Sequence, residues 1–184
     1  MERSGLDQPR LIAMARSLGT LMRPGDVLLL EGPMGAGKTT FTRALAHGLG
    51  VDRPDRVRSP TYNLCMVHDG PSPLTHVDLF RLAADEDAPA SASVSLAAFE
   101  ALGLDALAEG FELGRTVLVV EWADLWADLW AEPTRAVLRV RLTLEPRDDA
   151  CRGLVAQAVG DRPQALLRAW EGEIDIVRRE QEGG

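Results

Sequence analysis

From Asp7 to Met22, apolar residues Leu11, Met14, Leu18 and Leu21 recur at near-helical spacing, with Arg10 and Arg16 off the stripe. That pattern predicts an amphipathic helix. Pro24-Gly25-Asp26 is a turn, and Val27 to Leu30 is a short continuous apolar run, the signature of a strand buried on both faces. A glycine-rich loop follows, and Thr39 to Leu49 reads as a helix closed by Gly48 and Gly50. Arg58 to Val67 reads as a loop running into a strand. Asp69 to Pro73 is a turn and Thr75 to Leu82 a second strand, so the pair forms a hairpin. Residues 83 to 98 are rich in Ala, Asp and Ser, and the first half reads as a flexible insertion; Phe99 to Leu107 reads as a short helix interrupted at Gly103.

The second half opens with another buried strand, Thr116 to Val120. Trp122 to Trp130 repeats with a period of four, which sets Trp122, Trp126 and Trp130 along one side of a helix. Ala136 to Leu144 alternates, with Arg139 and Arg141 on a solvated face. Pro146 to Asp149 is a turn, Leu154 to Val159 the partner strand, and Pro163 to Trp170 a final helix. Residues 1–6, about 83–95 and 178–184 are expected to be flexible. The pattern predicts one α/β domain over residues 1–184, with a C-terminal antiparallel strand pair.

Composition narrows the function. The 184 residues carry 20 basic and 28 acidic side chains, a net charge of −8, and Lys38 is the single lysine. A lysine-rich nucleic-acid tail is excluded, and so is any site that needs two lysines; a standard GTPase, whose guanine-specificity element needs its own lysine besides the phosphate-binding one, is not expected. The acidic balance argues against tight sequence-independent binding to nucleic acid, which needs clustered positive charge. No apolar run approaches the length of a membrane span and the start lacks a secretory signal, so a cytoplasmic location is expected. Cys65 and Cys151 are too few for a disulfide framework and read as reduced thiols.

The strongest chemical signal is Gly32-Pro33-Met34-Gly35-Ala36-Gly37-Lys38-Thr39, which fits the phosphate-binding loop pattern at every fixed position, with a buried strand before it and a helix after it. Glycines let the backbone curl so that its N–H groups face phosphate oxygens, and the helix N-terminus adds partial positive charge. Gly35, Ala36, Gly37, Lys38, Thr39 and Thr40 are the expected nucleotide-binding residues. Lys38 would contact the β- and γ-phosphates, and the Thr39 hydroxyl would bind Mg²⁺. Such a loop implies nucleotide binding without fixing a reaction. Hydrolysis also needs a metal-holding carboxylate and a group to orient water. Asp78, in His76-Val77-Asp78-Leu79-Phe80-Arg81, and Glu121, after Val117 to Val120, stand where apolar strands end. On strand context alone each could equally be a solvated strand end. Thr61, in Ser59-Pro60-Thr61-Tyr62, is a candidate mobile-loop hydroxyl, and on spacing alone reads better as part of a plain turn.

In this order, Gly-x-x-Gly-Ala-Gly-Lys-Thr, Ser-Pro-Thr-Tyr, His-x-Asp-Leu-x-Arg and Glu-Trp resemble the bacterial tRNA threonylcarbamoyladenosine biosynthesis ATPase family (TsaE, also called YjeE). The likeness runs from about Gly25 to Trp122. It implies a small P-loop NTPase fold with a mixed sheet, and ATP and Mg²⁺ as cofactors. It also implies work with a two-subunit transferase that places a threonylcarbamoyl group on the adenosine beside the tRNA anticodon, contact with tRNA being indirect. By this likeness Asp78 is the Walker-B-type metal ligand, Thr61 belongs to a switch-like loop, and Glu121 assists the attacking water. Pro33-Met34 replaces the family's frequent Asp-Leu, and Phe80 stands where tyrosine is usual. Two other classes stay open: a small-metabolite kinase, against which the paired late strands argue, and a nucleotide-gated binding module with little hydrolysis. His76 reads as a hydrogen-bonded strand histidine that supports Asp78. Arg81 reads equally as a surface salt-bridge residue or a phosphate-side contact, and Trp126 and Trp130 as core or interface anchors.

Overall fold

In a computed structural model the chain is described over residues 1–60, 64–80, 114–124, 136–146 and 148–182. Among the described residues seven strands form one sheet in the order β1-β7-β6-β2-β5-β4-β3. They are β1 (Glu2–Leu6), β2 (Val27–Glu31), β3 (Cys65–His68), β4 (Leu74–Asp78), β5 (Val117–Glu121), β6 (Val137–Glu145) and β7 (Asp148–Val159), with helices α1 (Gln8–Leu21), α2 (Lys38–Leu49) and α3 (Asp161–Glu182). β2 runs parallel to both β5 and β6, and β4 parallel to β5. The β3–β4 and β6–β7 pairs and the β1–β7 pair are antiparallel, so the sheet is mixed, as expected.

β2 is central because every residue in it is apolar up to Glu31. Leu28 and Leu30 pack with residues of all three helices, while Val27 and Leu29 pack on the other face with Val77, Val120 and Val137. Asp7 caps α1, its carboxylate accepting from the Arg10 N–H at 2.9 Å. α3 is fastened to α1 by Trp170, which is wholly buried and donates its indole N–H to the Met14 carbonyl at 2.9 Å.

Several elements differ from their sequence reading. Residues 1–6, expected to be flexible, carry β1. Its side chains show no alternation, and main-chain bonds hold it: the Met1 amino group donates to the Ala156 carbonyl at 3.1 Å, and the Ala156 N–H donates to the Met1 carbonyl at 2.9 Å. The final helix does not stop at Trp170 but runs to Glu182, taking in most of the tail expected to be flexible from Arg178. Ile174, four residues after Trp170, still packs against the core, so the apolar period runs on past the sequence reading. β7 begins six residues earlier than Leu154, and the second hairpin strand ends at Asp78 rather than Leu82.

Gly48 does not end α2. A Cβ there would lie 2.1 Å from the Arg16 carbonyl oxygen, and one at Gly19 2.2 Å from the Leu45 carbonyl oxygen. The two glycines therefore let the α1 and α2 backbones touch. Gly50 closes the helix instead, at φ +76°, donating its N–H to the Ala46 and His47 carbonyls. The insertion at 83–98, the helix at Phe99 to Leu107, Arg81, and the repeat beyond Asp124 with Trp126 and Trp130 lie outside the described residues.

Candidate nucleotide site

The parallel strands β2, β5 and β4 all end on one side of the sheet, where α/β proteins place ligands. Here Met34, Gly35, Gly37, Lys38, Thr39, Thr40, Ser59, Asp78, Phe80, Glu121 and Trp122 line an open cavity of about 440 Å³. Of the expected site residues, Ala36 is buried behind the loop and Thr61 lies outside the described residues. The others converge.

The loop is built on positive φ angles at Gly32 (+130°), Gly35 (+77°) and Gly37 (+100°). At Gly32 the demand is also steric, since a Cβ would lie 2.2 Å from the Leu142 carbonyl oxygen. The Lys38 ammonium donates to the carbonyls of Gly32 (2.6 Å) and Pro33 (2.9 Å) and sits 3.3 Å from the centre of the Trp122 ring. Burial lowers the Lys38 pKa, while the carboxylates of Glu121, Asp124 and Asp78 oppose that shift. Trp122 is held at φ +63° and its ring lies 4.8 Å from that of Phe80. A bulky residue in the left-handed region costs about 1–3 kcal/mol. A desolvated cation–π contact returns about 2 kcal/mol and the ring pair about 1 kcal/mol, so the contacts offset the strain.

Glu121 is 1% exposed and three side chains hold it. Thr39 donates to Oε2 at 2.8 Å, Thr42 to Oε1 at 2.9 Å, and His76 Nε2 lies 2.7 Å from Oε1. Burial pushes this carboxyl's pKa up, but the His76 contact and the two threonine hydroxyls together outweigh it, and the net shift is downward. Asp78 lies directly across from Glu121 in the β4–β5 register. It accepts from the Ser59 hydroxyl and, at 2.9 Å, from the Phe80 N–H. His76 thus bonds Glu121, not Asp78 as its spacing suggested: two residues back on β4, it is the diagonal neighbour of Glu121.

Sequence reasoning missed three contributors. Thr42 follows Thr39 by three residues on one helix face, a spacing that could have exposed it. Glu31, at the end of β2, is 3% exposed and accepts from Arg139 at 3.1 Å and from Arg141 at 2.8 and 3.0 Å, so these arginines are not simply a solvated face. Arg152 on β7 donates to the Gly35 carbonyl at 3.1 Å. Nothing local in the sequence marks the last two.

The Thr39 hydroxyl and the carboxylates of Asp78 and Glu121 are hard oxygen donors, which suit a nucleotide with a hard cation. Among the described residues no group of three or more His, Cys, Asp or Glu could hold a metal ion. A glycine loop between a buried central strand and a helix, with a carboxylate from the adjacent parallel strand bonded to the loop threonine, defines a P-loop nucleotide-binding protein.

Comparison with known proteins narrows the class. The family model for "Threonylcarbamoyl adenosine biosynthesis protein TsaE" matches residues 7–152. The tRNA threonylcarbamoyladenosine biosynthesis protein TsaE of Bacillus subtilis is 37% identical over 155 residues, covering 84% of this chain and 83% of that protein. The TsaE of Streptomyces coelicolor is 38% identical over 155 residues, covering 81% of this chain and 90% of its own. The crystal structure of Bacillus subtilis YdiB superposes with a TM-score of 0.67 at 28% identity, covering 94% of this chain and 95% of that one. The chain belongs to the TsaE family of threonylcarbamoyladenosine biosynthesis proteins. Among the described residues no helix is long and apolar enough to cross a membrane.

Proposed function

We propose that this protein is a Mg-dependent ATPase that supports N6-threonylcarbamoyladenosine modification of tRNA together with a two-subunit transferase, in the cytoplasm. The observation that carries the reading is the Thr39–Glu121 hydrogen bond at the mouth of the P-loop cavity, with Asp78 across the register from Glu121. Lys38 and the N–H groups of residues 35 to 40 bind the phosphates. Thr39 and Asp78 would hold Mg²⁺, which neutralises charge developing on phosphate oxygens. Glu121 assists the attacking water by accepting a hydrogen bond rather than a proton. Its lowered pKa makes it a weak base, and three of its roughly four acceptor sites are already taken. Thr61 would join the site from its loop.

No arginine is among the described residues lining the cavity, which supports slow hydrolysis by the protein alone and stimulation by its partners. The metabolite-kinase reading is weakened by β6 and β7, an antiparallel pair late in the chain where an arginine-rich helical lid would be needed. The deciding experiment measures ATP hydrolysis and repeated tRNA modification with and without the purified transferase subunits. The expected result is faster hydrolysis with the subunits, and multiple rounds of modification only when this protein is present. Multiple rounds in its absence would refute the proposal, and hydrolysis unmoved by the subunits would favour a nucleotide-gated module.

A further inference from the structure

A phosphate-binding loop turns its N–H groups inward, so its carbonyls face outward. Gly32 O accepts from Lys38 Nζ, and Pro33 O from Lys38 Nζ and the Ala36 N–H. Gly37 O accepts from the Phe41 N–H at 2.8 Å, the first turn of α2. The donor to Gly35 O comes from outside the loop and helix: Arg152 Nη2, 117 residues away, at 3.1 Å.

Arg152 is fixed at its other end. It lies on β7, paired with Leu144 of β6 and Leu6 of β1, and its Nη1 donates to the Cys151 carbonyl at 2.8 Å. β6 continues past the last residue of β2, which it pairs through Arg141, so the β6–β7 ribbon overhangs the loop. The same ribbon meets the loop at its start, where the Leu142 carbonyl crowds Gly32 and Arg139 and Arg141 grip Glu31. Gly35 is at φ +77° with open space where a Cβ would be, so local packing does little to fix its peptide.

We infer that Arg152 is a positioning residue for the phosphate-binding loop: by holding the Gly35 carbonyl outward it presets the loop's N–H groups for the nucleotide's phosphates. The inference rests on the nucleotide-site reading. It assigns to the C-terminal ribbon, outside the motif region, a direct part in nucleotide affinity. A guanidinium suits the task because two of its N–H groups point in fixed directions, one to the ribbon and one to the loop, which a lysine ammonium cannot match.

The test compares the wild-type chain with Arg152→Met and Arg152→Lys by calorimetric titration with Mg-ATP, single-turnover hydrolysis, thermal melting and amide hydrogen exchange. Arg152→Met should weaken ATP binding about tenfold, the size expected for one charged hydrogen bond. Bound nucleotide should still hydrolyse at close to the wild-type rate, and amides 34–37 should exchange faster. Arg152→Lys should fall between the two. ATP affinity of Arg152→Met within about twofold of wild type would overturn the inference, as would affinity, turnover and melting temperature all falling together, the mark of a merely structural residue. Failure of the wild-type chain itself to bind ATP would instead sink the nucleotide-site reading.

Discussion

Lys38 is the residue on which the chemistry turns. A compact ammonium can sit between two loop carbonyls and an aromatic ring, where a planar guanidinium would not fit, and this is the one place the chain keeps a lysine. Lys38→Ala should abolish measurable ATP binding by calorimetry. Amine-directed labelling should reach only this side chain and the amino terminus, with ATP protecting the side chain. Glu121→Gln should bind ATP within about threefold of wild type and lose hydrolysis by about two orders of magnitude, the size expected for one preorganised hydrogen-bonding group; normal hydrolysis would remove the role assigned to that carboxylate. Its depressed pKa also has a stability consequence. Ionised Glu121 stabilises the fold at pH values above the unfolded carboxyl's pKa of about 4.3, and that contribution fades as pH falls through the lower folded value. Thermal melts taken from about pH 6 down to about pH 3 should therefore show a shallower acid decline in Glu121→Gln than in wild type.

At the scale of elements, the α1–α2 crossing depends on glycine at two positions. Any Cβ at Gly48 or Gly19 would overlap main-chain atoms, which cannot move aside as a flexible side chain could. Gly48→Ala should destabilise the protein by about 1–3 kcal/mol in a denaturant titration, even though alanine favours helix by up to about 1 kcal/mol. The overlap wins because it forces whole backbones apart. The same position shows how element reading reaches its limit. Glycine near a helix end signals a cap, and Gly50 is one, whereas Gly48 two residues earlier is a packing contact that only the neighbouring helix explains. Likewise β2 and β5 were legible because continuous apolar runs are needed in strands buried on both faces, while β1 was not, because its main chain rather than its side chains makes the contacts.

For the whole molecule, charge and topology act together. With a net charge of −8, the isolated chain should retain bare tRNA only weakly at about 0.15 M salt. Filter binding checks this, and tight retention by the chain alone would contradict the indirect contact that the family resemblance implies. The site draws on both halves of the chain. Lys38, Thr39 and Thr42 come from the first helix after the loop, and His76, Asp78 and Glu121 from two later parallel strands.

By itself the sequence determined the P-loop, the central parallel strands, the hairpin and the two acidic strand ends. Each is a local matter: a glycine pattern sets backbone torsion, and an apolar run sets burial. Only the tertiary structure decided which groups meet. It joined His76 to Glu121 rather than Asp78, brought Arg139 and Arg141 onto the buried Glu31, and laid Arg152 against Gly35. Those pairings follow from strand order and register, which depend on how the whole sheet buries its two faces, and no short stretch of sequence carries that information.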